Sequence, residues 1–279
     1  FEPLEQSYSD FWQKRITEAF ELRQMLGLTN QEGTNAYRLI HAEGDQLPGL
    51  IVDIYDKTAV IQCHSIGMHR DLEHIRDGLQ HTPGLDLNVI YDKSKEALPA
   101  NYSQEVENGY VWQSGTGKTS ILENNHSFAV DWEKGQKTGF FLDQRENRAL
   151  LTHYAKGKTV LNAFCYSGGF SVYALAAGAA KVHSVDVSKQ AIALTDENVA
   201  LNGTYDEKHE SFAMDVFDFF KQSSEAYDLM VVDPPAFAKS LKKRHNAVQG
   251  YKRLNAAAFE KVKSGGIMFT FSCSQVIDR

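Results

Sequence analysis

Cysteine is scarce: Cys63, Cys165 and Cys273 are the three in 279 residues. An odd count without metal-type spacing excludes a disulfide framework, argues against structural zinc and fits a reducing compartment. No stretch is long and apolar enough to span a bilayer. No basic, apolar leader follows Phe1, so a cytoplasmic protein is expected, and because that residue is not Met the natural N-terminus is expected upstream. Positive charge is in deficit, 29 Lys and Arg against 36 Asp and Glu for a formal net charge of −7. That balance argues against a protein that coats nucleic acid non-specifically. It leaves room for a local basic face, and Lys239, Lys242, Lys243, Arg244, Lys252 and Arg253 fall in one window without an acid. Phosphate contact and a solvated helix face are both open for that window.

The glycine spacing of a dinucleotide-binding loop is missing too. Val160 to Ala163 is apolar and breaks into the small-residue loop Phe164-Cys165-Tyr166-Ser167-Gly168-Gly169, followed by an Ala- and Leu-rich helix. G-x-G-x-x-G would need glycines where Phe164 and Tyr166 stand, which disfavours a NAD-type oxidoreductase. Strand, tight loop and helix still offer backbone N–H groups and a positive helix end to a nucleotide-like ligand. A second apolar run, Lys181 to Val187, carries Asp186 about twenty residues beyond the loop, where such folds place an acid that grips ribose hydroxyls. An acid capping the helix after Ser188 is the structural alternative.

The length suits two domains. Ser9 to Leu28 is expected to be an amphipathic helix ending near Gly27, with Phe11, Trp12, Ile16, Ala19 and Phe20 as packing residues. Strands follow at Tyr37–His41, Leu50–Tyr55 and Thr58–His64, a helix at Met68–Leu79, and strands at Leu87–Tyr91 and Gly109–Gln113, giving a small α+β domain. Gly117-Lys118-Thr119 ends like a phosphate loop. Its opening glycine would have to be at Trp112, and a turn between antiparallel strands is preferred. The domain boundary is expected near residue 130. Beyond it, strands and helices alternate, with helices at Arg145–Tyr154, Gly168–Ala177, Lys189–Asn202, Val216–Gln222 and Ala247–Val262. The strands are Thr159–Asn162, Val182–Asp186, Phe212–Met214, Leu229–Asp233 and Ile267–Phe271. Alternation of this kind implies a parallel sheet covered on both faces.

Four segments carry a family resemblance: Gly139-Phe140-Phe141-Leu142-Asp143-Gln144-Arg145, Asn162-x-Phe164-Cys165-Tyr166-Ser167-Gly168-Gly169, Asp233-Pro234-Pro235-x-Phe237 and Ser272-Cys273-Ser274. Together they resemble the S-adenosylmethionine-dependent RNA methyltransferases of the large-subunit rRNA cytosine-5 type, over nearly the whole chain. The resemblance implies a fold class of α/β, a Rossmann-like class I methyltransferase domain at 131–279 with a doubly wound, mostly parallel sheet, preceded at 1–130 by an N-terminal helix and a small α+β accessory domain. In the family that accessory domain usually follows an RNA-binding PUA module, and a helix and reversed hairpin usually follow the fifth strand, so further segments are expected beyond both ends. The implied cofactor is S-adenosyl-L-methionine and the implied partner is RNA, with large-subunit rRNA expected. No membrane partner is expected, and a homodimer is admitted.

Cofactor-binding residues are expected in Phe141, Gln144, Asn162, Phe164, Cys165, Ser167, Gly168, Asp186, Val187, Asp215, Val216 and Asp233. Gly168 would let backbone approach the methionine part, and Asp215 would meet the adenine amine or simply cap a helix. Cys165 is also explained by burial, Phe140 and Phe141 by core packing, and Arg145 or Arg148 would meet the cofactor carboxylate or RNA. Asp233-Pro234-Pro235 is a rigid acidic turn that presents Asp233 and neighbouring carbonyls to a base. Phe237 would stack on that base or anchor the loop. Substrate contacts are assigned to Pro234, Pro235, Phe237, Lys239, Lys242, Lys243 and Arg244.

Cytosine carbon 5 is a poor nucleophile until a thiolate adds at carbon 6, and the resemblance places that thiolate at Cys273, between the hydroxyls of Ser272 and Ser274. Cys273 and Asp233 are therefore the expected catalytic pair. The family can carry a second cysteine in the Asp-Pro-Pro position, and none stands there in this chain. The alternatives are an RNA methyltransferase acting on a base amine or ring nitrogen through the Asp-Pro-Pro-x-Phe loop, and a cofactor-binding RNA scaffold without turnover.

Overall fold

The computed structural model describes residues 7–29, 31–205, 207–237 and 244–274. They form two compact units that divide between Leu142 and Asp143.

The first unit opens with α1 (Tyr8–Met25), capped by Ser7, whose hydroxyl accepts the Asp10 N–H at 3.2 Å. It ends where Gly27 takes φ +72° and the Leu28 N–H returns to the Arg23 carbonyl at 2.9 Å. That left-handed glycine is the standard way of satisfying the last carbonyls of a helix. Strands β1 (Ala36–His41), β2 (Leu50–Tyr55) and β3 (Thr58–Cys63) follow, then α2 (Ile66–Arg70) and α3 (Leu72–His81). A single helix was expected from Met68 to Leu79; the chain instead breaks at Asp71, whose φ of −92° and ψ of 11° leave helical geometry. Next come β4 (Val89–Asp92), the single turn α4 (Ala100–Ser103), β5 (Gly109–Trp112), β6 (Lys118–Glu123) and β7 (His126–Asp131). Strands β1 to β5 lie in sequence order in one mixed sheet, while β6 and β7 pair as a separate hairpin. Trp12, Ile16, Ala19 and Phe20 of α1 join Ile75 and Leu79 of α3 in the core. A Cβ on Gly78 would sit 2.5 Å from Ile16 Cδ1, so glycine at that position lets the two helices approach.

This unit extends past the boundary expected near residue 130. The reason is a set of bonds from its core: Lys93 Nζ donates to the Trp132 and Gly135 carbonyls. Tyr55 and Thr138 share a hydroxyl bond of 2.9 Å, and the Thr138 hydroxyl donates to the fully buried Asp53 at 2.6 Å. The Ser114 to Ser120 segment connects β5 to β6, strands of different sheets, with Gly117 at φ +79°. No helix follows it, so it is not a phosphate loop.

The second unit contains α5 (Arg145–Ala155), β8 (Thr159–Ala163), α6 (Gly169–Ala176), β9 (Lys181–Asp186), α7 (Lys189–Leu201), β10 (His209–Ala213), α8 (Val216–Gln222), β11 (Tyr227–Val232), α9 (Arg244–Phe259) and β12 (Val262–Thr270). Its sheet runs in the order β10-β9-β8-β11-β12, and every pairing is parallel. Parallel neighbours need crossovers, which the alternating helices supply. Helix α9 stops at Phe259, short of the expected Val262. Val262 is already paired with Tyr227, whose N–H donates to the Lys261 carbonyl at 2.8 Å.

The register matters more than the order. Ala163 pairs with Val185 and Val232, Val232 with Thr270, and Asp186 with Ala213. The loops starting at Phe164, Val187, Met214, Asp233 and Phe271 therefore leave the sheet on one side, at the carboxyl ends where such sheets bind ligands.

Candidate active site

The reversal of strand order falls between β8 and β11, the position where a crevice opens in doubly wound sheets. The expected loops after β8 and β11 flank it, and those after β9 and β12 lie one strand away.

The loop after β8 turns tightly, with Phe164, Tyr166 and Gly168 at φ of 61°, 47° and 73°. The two positions at which a dinucleotide loop would carry glycine thus adopt glycine's conformation with aromatic residues. Gly168 has little choice, because a Cβ would lie 3.1 Å from Thr195 Cα and 2.7 Å from its Cγ2. Ser167 is buried, with its carbonyl accepting from Asn198 Nδ2 at 2.7 Å. Asn162 is 1% exposed and its Nδ2 donates to Ser171 Oγ at 2.9 Å, so its amide is engaged beneath the loop. Cys165 is buried, its Sγ lies 3.4 Å from Thr195 Oγ1, and burial pushes its thiol up to about 12.

Asp186 ends β9. Its Oδ2 accepts the Tyr166 N–H at 3.1 Å and its Oδ1 accepts the Ser188 N–H at 2.9 Å. Ser188, not Asp186, caps α7, with its hydroxyl accepting the Ala191 N–H. A carboxylate has about four acceptor sites, so Asp186 retains capacity for a vicinal diol. Val187 beside it is exposed. Asp215 caps α8, its Oδ1 accepting the Phe217 and Asp218 N–H groups at 2.8 and 3.3 Å, and Val216 is buried behind it.

Asp233 follows β11. Gln144 Nε2 donates to its Oδ2 at 3.3 Å, and Asn147 Nδ2 holds Gln144 Oε1 at 2.7 Å, which orients the amide. Pro234 is buried and Pro235 exposed. Phe237 is an anchor: its ring lies 4.5 Å from that of Tyr251, and a Cβ on Gly250 would be 2.9 Å from its Cδ2. Tyr251 also shares a 3.0 Å hydroxyl bond with the buried Ser274. One side chain of α9 thereby holds both the Asp-Pro-Pro loop and the Ser-Cys-Ser segment, a role that sequence spacing did not reveal.

Cys273 is exposed, and its thiol donates to the Pro234 carbonyl at 3.8 Å. The nucleophile candidate and the acidic turn are therefore neighbours in space, though 39 positions separate Cys273 from Pro234. Cys63 is buried, and burial raises its thiol to about 12. Burial thus disfavours the thiolate, the reactive form, at both positions. Iodoacetamide at pH 8 should label Cys273 and spare Cys63 and Cys165, read by peptide mass spectrometry. Comparable labelling of Cys165 would contradict its burial.

Arg145 and Arg148 are both buried, and Arg148 Cδ lies 2.9 Å from where a Cβ of Gly169 would be, at the start of α6. Arg244, Lys252 and Arg253 are exposed on α9. Lys239, Lys242 and Lys243 lie outside the described residues. Phe140 and Phe141 belong to the first unit, where Phe140 is buried against Phe128 and Lys137 Nζ sits 4.7 Å from the centre of the Phe141 ring. Among the described residues no group of three His, Cys, Asp or Glu side chains could hold a metal ion, and no helix is long and apolar enough to cross a membrane.

A parallel sheet ordered 3-2-1-4-5, a tight loop after its first strand and a carboxylate closing the second define an α/β domain for a nucleoside-bearing cofactor. The sequence model of the S-adenosylmethionine-dependent methyltransferases matches residues 95–277, and the chain belongs to that family. Ribosomal RNA large subunit methyltransferase I of Alteromonas mediterranea is 38% identical over 267 residues, covering 95% of this chain and 66% of the relative. The protein of the same name from Shewanella denitrificans is 36% identical over 283 residues, covering 100% and 70%. The chain thus spans about two thirds of the length of these curated relatives. Two solved structures, a Streptococcus mutans protein described as a SAM-dependent methyltransferase and a methyltransferase complexed with SAH, align at a TM-score of 0.82 and 28% identity, covering 96% of this chain and 68% of theirs. The cofactor is S-adenosylmethionine, and the acceptor capacity of Asp186 beside a glycine-like turn fits its ribose.

Proposed function

We propose that the chain methylates carbon 5 of a cytosine in large-subunit ribosomal RNA, with Cys273 as the nucleophile. The observation that carries this reading is the exposed Cys273 thiol beside the Pro234 carbonyl, at the mouth of the Asp-Pro-Pro turn. The RNA substrate is supported by the names of relatives at 36–38% identity, and it implies a cytoplasmic protein.

Asp186 would hold the ribose hydroxyls of the cofactor, the Phe164 to Gly168 loop its methionine part, and Asp215 its adenine amine. When bound, S-adenosylmethionine supplies an electrophilic methyl group on a positively charged sulfur. The chain's own residues prepare the acceptor. The Cys273 thiol gives up its proton to solvent and its Sγ forms a bond to carbon 6, which moves the pair of the 5,6 double bond onto carbon 5 and makes that carbon enamine-like. Asp233, its Oδ2 held by Gln144, accepts a hydrogen bond from the base's amino group or protonated ring nitrogen. Once carbon 5 bears its methyl, its proton leaves to a base, the carbon 6–sulfur bond breaks and the thiolate is restored.

The target must be unstacked, at a cost of a few kcal/mol that is smallest for a strand already single. Arg244, Lys252 and Arg253, exposed on α9, would meet phosphates. Nucleoside mass spectrometry of ribosomal RNA incubated with the chain and S-adenosylmethionine tests the reading. The expected product is 5-methylcytidine; methylated guanosine or adenosine would move the assignment to amine or ring-nitrogen chemistry.

A further inference from the structure

The loop after β8 is strained in a way its sequence should not tolerate. Left-handed φ recurs at Phe164, Tyr166 and Gly168, and only the last is glycine. For residues with a Cβ that region is disfavoured, so a loop holding two of them needs contacts that over-determine it.

Those contacts come largely from one helix. Thr195 Oγ1 donates to the Tyr166 carbonyl at 3.0 Å and Asn198 Nδ2 donates to the Ser167 carbonyl at 2.7 Å. The two residues are three apart on α7, hence on one face, and both are fully buried. Ala191, Ile192 and Val199 complete that buried face, so two polar groups occupy positions where packing would accept apolar ones. From the other side the Asp186 carboxylate takes the Tyr166 N–H, and the Cys165 N–H donates to Val185 at 3.1 Å. Both carbonyls on the far side of the Tyr166 and Ser167 peptides are thus tied to α7.

We propose that Thr195 and Asn198 are positioning residues for the cofactor. Their side chains hold the loop in a shape that dinucleotide-binding loops reach with glycines, and they set the affinity for S-adenosylmethionine from behind the loop. The clamp does for Tyr166 what glycine does through its missing Cβ.

The test is a coupling experiment on the full chain, with dissociation constants for S-adenosylmethionine and S-adenosylhomocysteine measured by calorimetry and folding followed by thermal melting. Thr195→Val, which keeps shape and removes the hydroxyl, should weaken cofactor binding by about tenfold. Thr195→Ser, which keeps the donor, should stay within about twofold, and Asn198→Ala should behave like Thr195→Val. In a Tyr166→Gly background, where position 166 no longer holds a side chain in the left-handed region, the Thr195→Val penalty should shrink to less than about threefold. A purely structural role would lower the melting temperature and leave affinity and coupling untouched. An equal penalty in both backgrounds, or unchanged affinity in folded Thr195→Val, overturns the proposal. Should Thr195→Val fail to fold, the same comparison with Asn198→Ala decides. The parent chain's own affinity tests the family assignment separately.

Discussion

Cys273→Ala is expected to lower methyl transfer to RNA by at least about 10³-fold, the order seen when a covalent nucleophile is removed. Cofactor affinity should stay within about twofold, because exposed substitutions of this kind rarely cost more than about 0.5 kcal/mol. The selectivity follows from geometry. The side chain is exposed, and it bonds the Pro234 carbonyl of the substrate turn. Initial rates on RNA together with calorimetry separate the two effects. RNA carrying 5-fluorocytosine adds a direct readout: fluorine cannot leave carbon 5 as a cation, so the adduct should persist through a denaturing gel with the parent and vanish with Cys273→Ala. A variant that keeps its rate within about tenfold would rule out the thiolate mechanism.

Asp186→Asn should raise the Kd for S-adenosylmethionine by about 10- to 100-fold. A hydrogen bond to a charged group is worth about 1.5–3 kcal/mol, and about 1.4 kcal/mol is tenfold. The carboxylate is asked to accept the ribose hydroxyls while it also accepts the Tyr166 and Ser188 N–H groups. Asparagine keeps one acceptor oxygen and turns an NH₂ toward one of those N–H donors, so the loop latch weakens along with the ribose grip. The melting temperature should fall by a few degrees, since each kcal/mol is worth about 2–4 °C in a chain of this size. RNA affinity measured without cofactor should not move. An unchanged Kd would take Asp186 out of the cofactor site and leave it as a loop latch only.

Much of this site could be read along the chain. The apolar run at Leu229 to Val232 ending in Asp233, the acid closing β9 and the cysteine just past the last strand are local patterns, and the structure brings all three to one side of the sheet. The missing glycines were weighed as an argument against a dinucleotide loop. The structure keeps that exclusion in composition while reproducing the glycine conformation at Phe164 and Tyr166. At Tyr166 no local pattern could reveal it, because the bonds to the Tyr166 and Ser167 carbonyls come from Thr195 and Asn198, 29 and 31 positions from their partners. The two roles of Tyr251 were hidden for the same reason: Ser274 is 23 positions away, and an aromatic on a helix face looks like any core residue. The unit boundary lies beyond Trp132 because the buried Lys93, the Tyr55 hydroxyl and the Asp53 carboxylate hold residues 132 to 140.

What the sequence by itself determined is the alternation of elements and the identity of the residues that end each strand, since apolar period and neighbouring turn chemistry are properties of a few consecutive positions. Only the tertiary structure decided that β11 would lie against β8 and β12 against β11. That order sets a thiol next to an acidic turn, and the packing of α7 behind the β8 loop brings Thr195 and Asn198 to its carbonyls. Both depend on bonds between distant segments, which form only once the chain has packed.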